Sequence, residues 1–412
     1  MNQLPDLFVA RRWNTLDGKT LDIAVTGSIA AVESPRFLRS LRRLGAEVVP
    51  WLSKGGKQFI SETSLDWASG GKSVVQSFSG AASHIATHDA LIIAPASANT
   101  LSKISLGIAD SPITTLAASY LGCSKPVMVL PTMHNSLANS PIIAQNLARL
   151  RDQGVIFLAA RHGEGKAKFP SPQSLADRVS YQLNRSRWGE QRPAVVLTMG
   201  STRGYIDAIR YVSNYSSGRL GSLIAEELFR RGLDTIVIAG PCKYRPRVFS
   251  QLIGVETNEE MLAAAVAACQ KPHTAGVFAA AVLDYIPQAK ISGKISSKHP
   301  SLAVELKSAS KIISACQPSS GIKVGFKLEV ASPGQDLPAS ALSLAEGYCR
   351  REHLSFFVVN FWQDLSELSH KALFFAPTSS GAVEPCGFGG SKRAIATVIA
   401  NHIEGTFLAR SS

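Results

Sequence analysis

Leu21-Asp-Ile-Ala-Val-Thr-Gly-Ser-Ile-Ala-Ala-Val-Glu-Ser-Pro-Arg-Phe-Leu-Arg-Ser-Leu-Arg-Arg-Leu-Gly45, running directly into Ala46-Glu-Val-Val-Pro-Trp-Leu52, decides the fold class. Residues 21–25 are a short apolar strand and Thr26-Gly27-Ser28 a turn. Residues 34–45 put Phe37, Leu38, Leu41 and Leu44 on one helical face, and 46–52 form a second strand. The unit recurs as a strand at 90–95 followed by a helix, and as strands at 126–131 and 155–159. Strands alternating with helices predict a parallel sheet covered on both faces.

Residues 163–193 are polar, basic and broken by Pro170 and Pro172. A helix at about 174–183 followed by loose chain makes this the best linker. A second αβ series follows, with strands at 194–198, 235–239, 276–282, 324–328, 356–360 and 372–376 and helices at 221–231 and 261–269. The expected organisation is an N-terminal extension (1–20), a flavodoxin-like three-layer domain (21–187) and a Rossmann-like three-layer domain (188–412).

Composition supports two cores. The 412 residues exceed one ordinary domain, and 45% hydrophobic against 18% charged residues excludes wholesale disorder. No apolar run reaches the roughly eighteen residues of a membrane helix. The opening twenty residues carry Asp6, Arg11, Arg12 and Trp13 with no apolar stretch of the kind a secretory signal needs. The expectation is a cytoplasmic protein with no membrane partner.

Forty-three Lys and Arg against 30 Asp and Glu give a formal charge of +13. That balance suits nucleic acid, an anionic membrane surface or phosphorylated small molecules. No basic block is interleaved with aromatics, so no nucleic-acid partner is expected. Cys123, Cys242, Cys269, Cys316, Cys349 and Cys386 form no C-x-x-C pair and read as scattered thiols.

Gly71-Lys72-Ser73 ends like a phosphate-binding loop, but Asp66 stands where the leading glycine belongs. The turn at Gly27-Ser28 is the better candidate. Gly27 permits close backbone approach, while the Ser28 hydroxyl and free helix amides suit a phosphate oxygen. Packing alone also explains such turns. Ala94-Pro95-Ala96-Ser97-Ala98-Asn99-Thr100, Gly107 to Thr115 and Pro131-Thr132-Met133-His134 place further hydroxyl and amide residues beyond strand ends, where ligands of open α/β sheets gather.

These stretches resemble the flavin-dependent cysteine decarboxylases, specifically those acting on phosphopantothenoylcysteine. Thr198-Met-Gly-Ser-Thr-Arg203, the Ser213-Asn214-Tyr215-Ser216-Ser217-Gly218 signature with Arg219, and Ala279 to Pro287 resemble the phosphopantothenate–cysteine ligases. The two in this order are similar to the fused bacterial enzymes of coenzyme A biosynthesis, over about residues 20–400.

The resemblance implies FMN near Gly27, Ser28, Ser97, Asn99 and Thr115, with His84 and His134 catalytic. In the second domain it implies 4′-phosphopantothenate on Ser216, Ser217, Gly218 and Arg219, and Asn214 on the activated acyl group. It implies Mg²⁺ on Asp284, and a nucleotide (CTP favoured over ATP) near Asp284, Lys294, Lys298, Phe326 and Lys327. From the residues alone, the serines before the second-domain helix read equally as a capped helix start and as an anion site. The implied reactions are ligation of cysteine through an acyl-nucleotide, then decarboxylation to 4′-phosphopantetheine. The implied assembly is a dodecamer of trimeric flavin domains and dimeric ligase domains. The chain departs from the fused enzymes in two places. The stretch between His84 and Pro95 is about three residues short, and the flap Gly163-Glu-Gly-Lys-Ala-Lys-Phe-Pro170 lacks their proton-donating cysteine. A ligase whose flavin domain is only a scaffold is the alternative the sequence leaves open.

Overall fold

The computed structural model describes residues 5–76, 85–190, 192–296, 301–364 and 370–411. The chain divides into two compact units, Met1–Asn184 and Arg185–Ser412.

The first unit runs β1 (Thr20–Val25), α1 (Ser34–Arg43), β2 (Glu47–Leu52), α2 (Glu62–Ser69), β3 (Ala90–Ala96), α3 (Ala98–Ser105), α4 (Pro112–Gly122) and β4 (Val127–Pro131). It continues with α5 (Asn135–Ala138), α6 (Pro141–Asp152), β5 (Ile156–Phe157), β6 (Arg161–Gly163), β7 (Lys166–Lys168) and α7 (Pro172–Arg185). Its five-stranded sheet has the order β2-β1-β3-β4-β5, and every pairing is parallel. All seven residues of β3 are buried, as a strand covered on both faces requires. The helical face read from residues 34–45 is buried at Phe37, Leu38 and Leu41, while Leu44 is the C-cap.

Residues before β1 pack onto this unit. Val9, Trp13 and Leu16 are buried, and the amides of Arg12 and Leu16 donate to the carbonyls of Arg43 and Leu44 at 2.9 Å. The arm thereby satisfies carbonyls that α1 leaves open at its C-terminus.

The stretch read as a linker is mostly ordered structure. It holds a hairpin, β6 and β7, and a 14-residue helix, α7, that buries Leu175, Ala176, Val179 and Tyr181. Pro172 opens α7 as its first residue, a position where a missing N–H costs nothing. The helix expected at about 174–183 is therefore present and extends two residues further at each end, while the hairpin before it was not expected.

The second unit comprises β8 (Ala194–Met199), β9 (Arg203–Tyr205), β10 (Tyr211–Ser213), α8 (Arg219–Arg230), β11 (Asp234–Ala239), β12 (Gln251–Gly254), α9 (Asn258–Cys269), β13 (Thr274–Phe278), β14 (Tyr285–Pro287) and β15 (Leu306–Ser308). Then come α10 (Ile312–Ala315), β16 (Lys323–Glu329), α11 (Leu337–Glu352), β17 (Phe356–Phe361), β18 (Ala372–Pro377), β19 (Val383–Gly389) and α12 (Lys392–Ser411). Its sheet has the order β12-β11-β8-β13-β16-β17-β18-β19; β18 pairs antiparallel with both β17 and β19, and every other pairing is parallel.

Ile224 and Leu228 of α8 share one core with Ile395, Ile399 and Ile403 of α12. Met261 and Ala265 of α9, with Ile312 of α10, build a second core. Ala341 and Ala345 of α11 join a third. Each fully buried Leu or Ile stabilises by about 1.5–3 kcal/mol. The strand expected at 276–282 ends at Phe278, which leaves 279–284 as a strand-end loop. No helix among the described residues is long and apolar enough to cross a membrane.

Candidate active sites

In the first unit the strand order 2-1-3-4-5 reverses direction between β1 and β3, and the crevice beyond their C-terminal ends is where such sheets bind FMN. Hydrogen bonds knit three strand ends together there. The Thr26 hydroxyl donates to the Pro95 carbonyl at 2.8 Å and accepts from the Ser97 amide at 2.9 Å. The Thr132 amide donates to Ala96, and its hydroxyl to Ser28 Oγ at 3.1 Å. Gly27, Ser28 and Ser97 are therefore brought together. At Gly27 a Cβ would stand 3.2 Å from the Gly55 backbone, so the turn is held against the loop after β2.

Both serines also serve as N-caps. Ser28 accepts from the Ala30 amide and Ser97 from the Thr100 amide. Asn99 is exposed in the first turn of α3. Thr115 lies one residue past the Ser111–Thr114 capping box of α4 and gives its hydroxyl to the Ala109 carbonyl at 3.1 Å. Hydroxyls, free helix-terminal amides and a glycine-narrowed turn form an uncharged donor set, and that chemistry fits a flavin and its phosphate.

His134 is the exposed N-cap of α5, with Nδ1 3.3 Å from the Ser136 amide and 2.9 Å from its hydroxyl. Over it lies the β6–β7 hairpin. The Asn135 amide donates to Gly165 at 2.9 Å and the Ala167 amide to Met133 at 3.1 Å. Its two-residue turn, Glu164-Gly165, has positive φ at both positions, +52° and +68°, the tight hairpin turn that matches strand twist. His84 lies outside the described residues.

In the second unit the strands count 3-2-1-4-5-6 from β12 to β17, with the reversal between β8 and β13. There Ala279 donates to Thr198 at 3.1 Å and Ala281 to Gly200 at 2.8 Å. Gly218 caps α8 at φ +75°, and a Cβ would stand 2.7 Å from the Tyr244 carbonyl and 2.8 Å from Cys242 Cβ. Ser217 Oγ accepts from the Arg219 amide at 3.4 Å, and Ser216 is half-buried beside it. Arg219 is exposed, its guanidinium 5.4 Å from the Tyr244 ring. Free amides of a 12-residue helix, two hydroxyls and an arginine are a donor set whose chemistry suits an anion.

Asn214 Nδ2 donates to the Val282 carbonyl at 2.9 Å, which brings the signature to the strand-end loop two residues before the exposed Asp284. Behind them, buried Thr202, Asn258 and Leu283 close a hydrogen-bonded ring. Lys294 is exposed, and Lys298 lies outside the described residues. Phe326 and Lys327 are half-buried on β16. Lys327 Nζ is 3.3 Å from Glu329 and 5.9 Å from the Tyr348 ring. Burial works against its charge, but Tyr348 and Glu329 outweigh it and raise the amine above its ordinary value.

Asp284 offers one exposed carboxylate at the strand-end loop, an oxygen donor of the kind that magnesium accepts beside phosphate oxygens.

Asp207 and Arg210, which the sequence reading gives no role, lie on the turn between β9 and β10, just before the Ser213–Gly218 signature. Asp207 is fully buried. Amides of Arg210, Ile209 and Ile295 hold its carboxyl well below the usual range.

Two α/β units, one with an uncharged crevice of flavodoxin order and one with an anion-binding helix start at a dinucleotide-type switch point, define a two-domain enzyme that handles nucleotides and phosphorylated compounds. Comparison with known proteins narrows that class. Residues 10–184 match the family described as Flavoprotein. Residues 191–405, just over half the chain, match the DNA/pantothenate metabolism flavoprotein C-terminal domain.

The coenzyme A biosynthesis bifunctional protein CoaBC of Thermococcus kodakarensis is 37% identical over 346 residues, covering 81% of this chain and 84% of that protein. Its Methanocaldococcus jannaschii counterpart is 31% identical, covering 76% and 77%. The Escherichia coli K12 protein is 30% identical, covering 66% and 69%. The chain belongs to the family of bifunctional coenzyme A biosynthesis proteins. It is an enzyme of that pathway, a decarboxylase and a ligase in one chain, and its first unit is a flavoprotein domain.

Proposed function

We propose that the second unit joins cysteine to 4′-phosphopantothenate and the first decarboxylates the product, 4′-phosphopantothenoylcysteine, to 4′-phosphopantetheine. The observation that carries the ligase reading is the Asn214–Val282 hydrogen bond, which sets the reacting-group residue beside Asp284 at the strand-end crevice. The phosphate of phosphopantothenate lies on the α8 start, at Ser216, Ser217, Gly218 and Arg219. Its carboxylate attacks the α-phosphorus of a nucleoside triphosphate, CTP in preference to ATP, and pyrophosphate leaves. Lys294, Lys298 and Lys327 neutralise the triphosphate, with Phe326 against the nucleotide, and Asp284 would hold a magnesium ion that shares that charge. The Asn214 amide then holds the acyl group while the cysteine amine displaces the nucleoside monophosphate.

In the first unit FMN, held by Gly27, Ser28, Ser97, Asn99 and Thr115, supplies reversible oxidation of the cysteine thiol, the electron sink that carbon dioxide loss requires. His84 takes the thiol proton and His134 contacts the departing carboxylate. The hairpin over His134 excludes water. Trimers of the flavin unit joined by dimers of the ligase unit would give a dodecamer, which light scattering measures.

One assay tests the reading. Phosphopantothenate, cysteine, magnesium and CTP or ATP are supplied, and products are identified by mass. Phosphopantetheine is expected, faster with CTP. Amide without carbon dioxide reduces the first unit to a scaffold, and no amide with either nucleotide overturns the ligase assignment.

A further inference from the structure

We infer that Asp207 is a positioning residue of the ligase, acting on the lysine loop through the backbone on either side of Lys294. The inference rests on the reading of Lys294 as a triphosphate contact, but the geometry behind it is independent of that reading.

Asp207 is fully buried, and its two carboxylate oxygens do different things. Oδ1 faces its own turn, accepting from the Ile209 amide at 2.8 Å and the Arg210 amide at 2.6 Å. Such a side-chain-to-backbone bond two and three residues ahead is how an aspartate sets a turn. Oδ2 faces away, accepting from Arg210 NH1 at 2.6 Å and from the Ile295 amide at 3.0 Å. Ile295 is 88 residues distant in sequence.

Three further bonds fasten the same segment to the same turn. Ile291 donates its amide to Ile206 at 2.9 Å, Ala208 donates to Gly293 at 3.0 Å, and Arg210 NH1 reaches the Ile295 carbonyl at 3.1 Å. Lys294 therefore sits between two clamped residues, with Gly293 held through its carbonyl and Ile295 through its amide and carbonyl. Its own side chain remains exposed. A long, strongly hydrated lysine on a free loop spends binding energy in being ordered. Fixing its backbone beforehand removes that cost from the nucleotide step.

A turn-forming aspartate needs only Oδ1; the buried Oδ2 is divided between the Arg210 guanidinium and the distant Ile295 amide. Its contacts all serve Arg210 and the loop. This asymmetry supplies the test, because asparagine can keep an acceptor in the Oδ1 position while presenting an NH₂ to Ile295 and Arg210, both donors.

In the full-length protein, Asp207→Asn is expected to fold with its thermal transition within a few degrees of the parent. Amide hydrogen exchange over residues 291–295 should rise at least tenfold, and the KM for the nucleoside triphosphate about tenfold. The KM for cysteine should stay within twofold. Placing the substitution in a Lys294→Met background separates positioning from general damage. There Asp207→Asn should add nothing to the nucleotide KM while still accelerating exchange. Unchanged exchange at 291–295 overturns the clasp itself. Faster exchange with an unchanged nucleotide KM overturns the positioning role, as does an equal loss toward all substrates. If Lys294→Met alone leaves the nucleotide KM at the parental value, the reading of Lys294 fails, and the exchange measurement then decides whether the clasp exists.

Discussion

The two crevices occupy equivalent places in their sheets yet are built in opposite ways. In the first unit buried or half-buried hydroxyls of Thr26, Ser28, Ser97 and Thr132 are themselves the wall of the site, already bonded to one another across three strand ends. In the second, Asn214, Asp284 and Lys294 stand exposed on loops and Arg219 stands exposed at the first residue of α8. The buried polar groups there, Thr202, Asp207 and Asn258, lie behind them and hold the loops. The difference follows from what each site handles. A resident cofactor favours a preformed, uncharged pocket, since its binding is made once. On the proposed reading a triphosphate and two co-substrates come and go, and they need charge that stays hydrated between turnovers, because a charge buried without a partner costs several kcal/mol.

The largest expected effect breaks the second site alone. Asn214→Ala removes the side chain proposed to hold the reacting acyl group, a loss of about 2.7–4 kcal/mol in the transition state, or roughly 10²–10³ in ligation rate. Nucleotide binding should change far less, and decarboxylation of supplied phosphopantothenoylcysteine not at all. Asp284→Asn should do the reverse, weakening binding of the magnesium triphosphate. Equal rates of amide formation in both variants and the parent would remove these residues from the site.

The pH dependence of stability sharpens the same contrast. Burial pushes His402, stacked on Phe356 at 4.5 Å, down to about 4; burial and then the charge of Lys392 do the same for His370. Both are neutral in the folded chain at pH values where the unfolded chain, with a histidine pKa near 6.5, takes up protons. Their contribution is thus fully present above about pH 6.5 and is lost as pH falls from there toward 4, roughly 2 kcal/mol for each group. Denaturant melts of the full chain at pH 7.5 and 5 should show the second unit's transition moving earlier in acid. His402→Leu should reduce that movement, and a pH-independent transition would contradict it.

Legibility in sequence follows locality. The turns at Gly27-Ser28 and Gly218 are readable because strand, turn and helix start lie within a dozen residues and obey periodicity and capping rules. The stripe Ile395, Ile399, Ile403 of α12 and the Asp336-Leu337-Pro338 start of α11 carry equally local signals, although the sequence reading ends at the strand 372–376 and names neither helix. The flap hairpin is different in kind. Its strands are three residues long and bear Arg161, Lys166 and Lys168, so no alternation exists to detect, and only the Glu164-Gly165 turn betrays it. Asp207 was beyond reach altogether, because its meaning depends on an amide 88 residues away.

The smallest expected effect concerns that flap, where a cysteine is lacking. On the proposed reading, returning the decarboxylated enethiolate to a thiol would take back the two electrons lent to the flavin and would also need a proton delivered to carbon beneath the hairpin. Of its basic residues, Lys168 is committed to Glu164 at 2.8 Å. Lys166 pairs by backbone with His134 in an antiparallel bridge, which places its position beside the residue proposed to face the substrate carboxylate. Lys166→Met should therefore slow formation of phosphopantetheine about tenfold and no more, because an ordered water remains as donor. Carbon dioxide release in a single oxygen-free turnover should keep its parental rate. Lys168→Met should change either rate by less than about threefold, since its charge is spent on Glu164. A Lys166 variant that forms product as fast as it releases carbon dioxide would show that the proton comes from elsewhere. Equal slowing of both steps would place Lys166 in substrate binding and not in proton delivery.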